Sequence, residues 1–246
     1  GSVAGSQSGR DDAWFKEMKE KYPVPTVDLR EVKNETLFNE NNTNIQEYFF
    51  YNDDDGKSSF AHFLAQYESK PGWQIERQKD FVKIISKQAG KKIEIYANYP
   101  ESDEAGAEAV QSFFTENNLV PTVVVHRGHS YHVNKTIQDL DLTAKIVSLG
   151  SCGGYNNVAK VLDKSPNAHI LSTKGTGTML INDPLLKMLN TQILEGKDIE
   201  WSVFWEALGG KVGKDERFKD YVSPNKNAGA VFIKAYKDAV LKEAQN

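Results

Sequence analysis

The chain has a single cysteine, Cys152, among its 246 residues. One thiol forms no internal disulfide, so the sequence indicates neither an oxidising nor a reducing compartment. A basic surplus is also missing. Thirty Lys and Arg stand against 34 Asp and Glu, a net charge of -4, which excludes the counterion-releasing surface that nucleic acid or an anionic membrane requires. No stretch approaches the roughly 18 consecutive apolar residues of a membrane span. What remains is a chain with a mean hydropathy of -0.56 and 39% hydrophobic residues, enough for one substantial core. Residues 1–10, GSVAGSQSGR, contain no apolar run and read as a tail or cloning remnant. A leader removed ahead of them leaves the compartment open.

Residues 11–90 read as an N-terminal α+β elaboration. DDAWFKEMKEKY (11–22) predicts a short helix stopped by Pro23 and Pro25. Residues 26–44 are polar and Asn-rich, an irregular excursion. EYFFYNDDDGKSSFAHFLAQY (47–67) predicts a β-rich run, an acidic turn and a helix capped by Ser58 or Ser59. FVKIIS (81–86) and KKIEIYANY (91–99) flank an Ala-Gly turn as a β-hairpin.

Residues 91–246 have a more regular rhythm. Strands at KKIEIYANY, TVVV (122–125), AKIVSLG (144–150) and AHILST (168–173) alternate with helices at 101–118, 133–141, 155–164 and 183–196. Near-continuous apolar strands are covered on both faces, which implies a parallel sheet. Four βα units in sequence imply a three-layer α/β sandwich. WSVFWEAL (201–208) and FIKAYKDAVLKEAQ (232–245) are helical, joined by a Lys/Gly/Asn-rich loop.

Two stretches of this second region carry reactive side chains. VVVHRGHSYH (123–132) holds three of the five histidines, and SLGSCGGYNN (148–157) holds the cysteine. Each is an aliphatic run that breaks at glycine. Parallel strands joined by one helix are usually neighbours, about 4.8 Å apart, and ligands bind at their carboxyl ends. His129, four residues past Val125, and Cys152, three past Leu149, are therefore expected to face each other. An imidazole beside a thiol lowers its pKa and makes it a nucleophile.

A hydrophobic strand ending in histidine, followed by one ending in small residue-Cys, resembles the caspase-like cysteine peptidases, the group of clostripain, gingipain, separase and the CHAT domains. The resemblance spans roughly residues 91–195. It implies a caspase-like sandwich and a Cys152–His129 dyad hydrolysing peptide bonds, with the oxyanion held by the backbone amides of Ser130 and Cys152. Its substrate would be a protein or peptide, with no cofactor and no metal. The loop 172–183 would read the substrate through Thr173, Gly175 and Asp183, although Asp183 also suits a helix N-cap. Ser130 stands where the family places glycine, so the alternative is an inactive caspase-fold binding or scaffold module.

Other chemistries fit less well. Gly150-Ser151-Cys152-Gly153-Gly154 matches the G-x-[SC]-x-G elbow of α/β-hydrolases, but only His169 follows the cysteine. A cysteine phosphatase needs Arg six residues after the thiol, where Val158 stands. His126, His129, His132 and Cys152 share no regular element that would focus them on zinc. Asn52–Gly56 hints at calcium, yet Tyr51 and His62 occupy the first and twelfth positions of an EF-hand loop. His126 and His62 read as ordinary loop and helix residues.

Overall fold

The computed structural model describes residues 29–243, with the side chains of 238, 239 and 241–243 excepted. The expected helix at 11–22 lies outside them. Strands are β1 (Glu31–Val32), β2 (Thr43–Phe50), β3 (Trp73–Arg77), β4 (Phe81–Ser86), β5 (Lys92–Asn98), β6 (Val123–Arg127), β7 (Ile146–Leu149), β8 (His169–Thr173), β9 (Ile199–Glu200) and β10 (Tyr221–Val222). Helices are α1 (Asp54–Ala65), α2 (Asp103–Asn117), α3 (Val133–Gln138), α4 (Val158–Lys164), α5 (Met179–Leu194), α6 (Trp201–Val212) and α7 (Ala228–Glu243).

Eight strands form one sheet in the order β10-β8-β7-β6-β2-β5-β4-β3. β5, β2, β6, β7 and β8 are mutually parallel. The β4–β5 hairpin is antiparallel and β3 extends that edge. β10 lies antiparallel on β8, inside the stretch expected to be a loop. The chain is thus an α/β protein with a mostly parallel sheet between two helical layers.

Side-chain alternation along each strand feeds both layers. Tyr48, Phe50, Val123 and Val125 meet Phe60 and Phe63 of α1, Leu185 and Leu189 of α5, and Phe204 of α6. Phe49, Val124, Val147 and Ile170 meet Ile137 of α3 and Val161 of α4. Ile45 and Tyr96 receive Val110 and Phe114 of α2. Among the described residues no helix is long and apolar enough to cross a membrane.

Helix boundaries differ from expectation most clearly at the starts of α1 and α5. Asp53, not Ser58 or Ser59, caps α1: its carboxylate accepts from the Gly56 N–H at 2.7 Å. Asp54 and Asp55 then occupy the first turn, where the helix dipole favours negative charge. α5 begins four residues before Asp183, with Thr178 as its cap.

The least expected strand position is that of β2. It sits between β5 and β6, although the βα rhythm makes those two strands neighbours. Its sequence mixes polar and apolar residues, yet Asn44, Gln46 and Glu47 are all buried. Asn44 donates to the Leu37 carbonyl at 2.7 Å and to Thr122 at 2.9 Å. Gln46 donates to Asn44 at 2.7 Å and to Asn190 of α5 at 2.8 Å. The two Glu47 oxygens share one Gln111 N–H group of α2, each at 2.8 Å.

Burial holds the Glu47 carboxyl well above its ordinary 4.5, and the Gln111 hydrogen bond only partly offsets this. A carboxyl that binds its proton more tightly when folded loses stability as pH rises above its unfolded pKa. Glu47→Gln should therefore be more stable than the wild type at neutral pH, with a gain that grows from acid to alkaline buffer in urea denaturation. A gain independent of pH would show that Glu47 is not the titrating group.

Candidate functional site

β2 is followed by α1 on one face of the sheet, and β6 by α3 on the other. Their carboxyl ends form a switch point, the place where open α/β sheets leave a crevice. A cavity of about 180 Å³ opens there, its wall including Asp55, Arg127, His129, Ser151, Cys152 and Asn182. Cys152 is exposed and His129 is about two-fifths exposed. The strands that bring them together, β6 and β7, are parallel neighbours pairing Val125 with Ser148.

No hydrogen bond joins Cys152 to a histidine among the described residues. His129 instead turns its Nε2 to Asp55 at 3.3 Å and stacks on Tyr131. His132 turns to Asp53 at 3.2 Å and stacks on Tyr51 with ring centroids 4.4 Å apart. The acidic turn before α1 thus both caps the helix and engages two of the three clustered histidines.

His126 has a different role from the loop residue expected. It is the penultimate residue of β6, faces α3 and is 1% exposed. Its Nε2 lies 3.2 Å from the His129 carbonyl and its Nδ1 2.7 Å from the Thr136 hydroxyl. A carbonyl only accepts, so Nε2 carries the proton and Nδ1 accepts from Thr136. The Thr136 oxygen then accepts from the Tyr51 hydroxyl at 2.5 Å. This chain of three side chains anchors the backbone of His129.

The remaining expected residues separate. Ser130 opens a short 3-10 turn. Thr173 is fully buried and its hydroxyl accepts from the Gly175 N–H at 3.1 Å. Gly175 accepts from the Gly153 N–H at 2.9 Å, tying two loops together. Asp183 lies 2.6 Å from the Arg127 Nη1, a partner that the spacing did not reveal. His169, the histidine after Cys152, accepts from the Trp201 indole at 2.9 Å. No three His, Cys, Asp or Glu side chains converge as metal ligands among the described residues.

Two glycines at this edge admit a close approach of the chain to itself. A Cβ on Gly177 would stand 1.8 Å from the Gly150 carbonyl oxygen, and one on Gly150 2.5 Å from the Asn182 amide. The loops after β7 and β8 cross there in close contact, and Asn182 donates to that same Gly150 carbonyl at 3.0 Å.

No protein-family profile and no curated protein matches the chain. Solved structures to which it is similar include the G domain of the T. maritima FeoB iron transporter, at 12% identity and a TM-score of 0.31, covering 62% of this chain and 98% of that one. The cytosolic domain of L. pneumophila FeoB aligns at 13% identity and a TM-score of 0.30, covering 80% and 98%. The peptidase expectation does not hold. The similar structures are G and cytosolic domains rather than caspase-like peptidases. Assignment as a thiol protease, a cysteine endopeptidase or a caspase-fold module is corrected accordingly. At these identities and TM-scores the likeness transfers neither residue roles nor an activity.

Burial pushes His126 down to about 4 from an ordinary 6.5. The unfolded chain therefore takes up this proton first, and stability falls as pH drops through 6.5 towards about 4. The full loss is about 3 kcal/mol, from about 1.4 kcal/mol per pH unit. His126→Gln should flatten this part of the pH–stability curve in denaturant titrations. An unchanged curve would remove His126 as its source.

Proposed function

We propose that this chain is a binding domain whose cleft at the carboxyl edge of the parallel strands takes a small carboxylate. One observation carries the reading: two buried donors in the cavity wall have no partner. Arg127 Nη2 and Ser151 Oγ make no hydrogen bond, and their residues are only 3% and 5% exposed. An unsatisfied buried polar group costs about 1–3 kcal/mol, more when charged, so a guest oxygen accepting from both would stabilise the site. Arg127 Nη1 faces Asp183, which leaves Nη2 to offer a charge-assisted bond.

Size and charge narrow the ligand. The cavity volume of about 180 Å³ suits a group the size of an amino-acid side chain, whereas drug-sized ligands occupy about 300–1,000 Å³. Asp53 consumes an amide at the start of α1, and Asp54 and Asp55 follow it. That helix end therefore presents negative charge where a phosphate would need donors. Cys152 and His129 belong to this reading as residues at the cavity wall, with Asp55 orienting the imidazole. Ser130, Thr173 and Gly175 support the loops around it.

The lone cysteine provides the readout, because iodoacetamide then reports one site. N-acetylglycine should slow alkylation of Cys152 and raise Tm, while N-acetylglycinamide and inorganic phosphate should do so far less. Ser151→Ala should weaken the carboxylate by about tenfold, the loss of a hydrogen bond to a charged group. Absence of both protection and Tm shift with the carboxylate would overturn the reading.

A further inference from the structure

We propose that the groove between α1 and α5 docks an extended, acidic segment of a partner protein. The groove encloses about 690 Å³ and is distinct from the cleft. Lys70 follows α1, Lys187 projects from the middle of α5, and Lys211 comes from the last turn of α6. None of the three forms an ion pair or side-chain hydrogen bond among the described residues. Asp183 is the only acid in the lining, and Arg127 already engages it. A chain of net charge -4 thus places three unpaired cations around one groove, and charge complementarity selects an acidic occupant.

Shape decides between a peptide and a compact anion. Asp183, Lys187 and Thr191 recur every four residues along α5, a row about 12 Å long at 1.5 Å per residue. That length matches about four residues of extended chain. Ala65, Pro184 and Met188 contribute apolar surface, and Met188 is an adaptable contact. The α5 wall comes from the interior of a helix, whose amides are spent within it, so that wall lacks the converging N–H groups with which phosphate sites are built. A segment alternating acidic and apolar residues uses both features.

The test is fluorescence anisotropy with a labelled peptide that alternates Glu and Leu, with Gln replacing Glu in a control. The Glu peptide should bind the full chain, weaken as salt is raised, and outbind the Gln peptide by at least about tenfold. The triple variant K70E/K187E/K211E should lose that binding with unchanged circular dichroism and Tm. Lys219→Glu, outside the groove, should retain it. Ser151→Ala should also retain it, so failure of the cleft reading and failure of this one are distinguishable. The proposal falls if the triple variant binds like the wild type or if the Gln peptide binds equally. It falls likewise if tripolyphosphate displaces the peptide at equal charge concentration, or if the groove lysines prove to mediate self-association of this chain.

Discussion

The burial of a polar strand at the centre of the sheet is the constraint on which the architecture rests. β2 carries Asn44, Gln46 and Glu47 into the interior, where unsatisfied amides and carboxylates are costly. Their partners come from Leu37, Thr122, Gln111 and Asn190, which are distant in sequence from one another. Only when α2 and α5 pack on opposite faces do the Glu47 carboxylate and the Gln46 amide nitrogen both find partners, while the Gln46 Oε1 stays unpaired. The network therefore ties the central strand to both helical layers and makes their placement mutually dependent.

From that arrangement the cleft follows. With β2 beside β6, the chain leaves the sheet towards opposite faces at adjacent strand ends, and a crevice opens. Its walls are held by short links. The Tyr51–Thr136–His126 chain anchors the backbone of His129. The crossing of Gly150 and Gly177 fixes the loops behind Cys152. Asp53 joins these by capping α1 and meeting His132. Side chains that looked individually reactive in the sequence thus serve largely to position one another, and two buried donors, Arg127 Nη2 and Ser151 Oγ, are left without a hydrogen-bond partner.

The same fold sorts charge by location. Around the cleft, acids and imidazoles are paired: Asp55 with His129, and Asp53 with His132. Along the neighbouring groove the lysines are unpaired and the floor is partly apolar. The net charge averages over both regions and conceals the contrast.

Local pattern determined much of this protein. The aliphatic runs at 122–125, 144–150 and 168–173 specified buried parallel strands, and the glycine breaks after them placed His129 and Cys152 at one edge. These features were readable because strand alternation and apolar continuity record burial within a single segment. Tertiary structure alone decided where β2 inserts, which nitrogen of His126 holds the proton, and that Asp183 faces Arg127 rather than capping a helix. It also decided that the His129 Nε2 faces Asp55. Each of these depends on a hydrogen bond or ion pair between segments far apart in the chain. Such partnerships leave no periodic trace in either segment, because polar side chains suit a solvated surface as well as a satisfied interior.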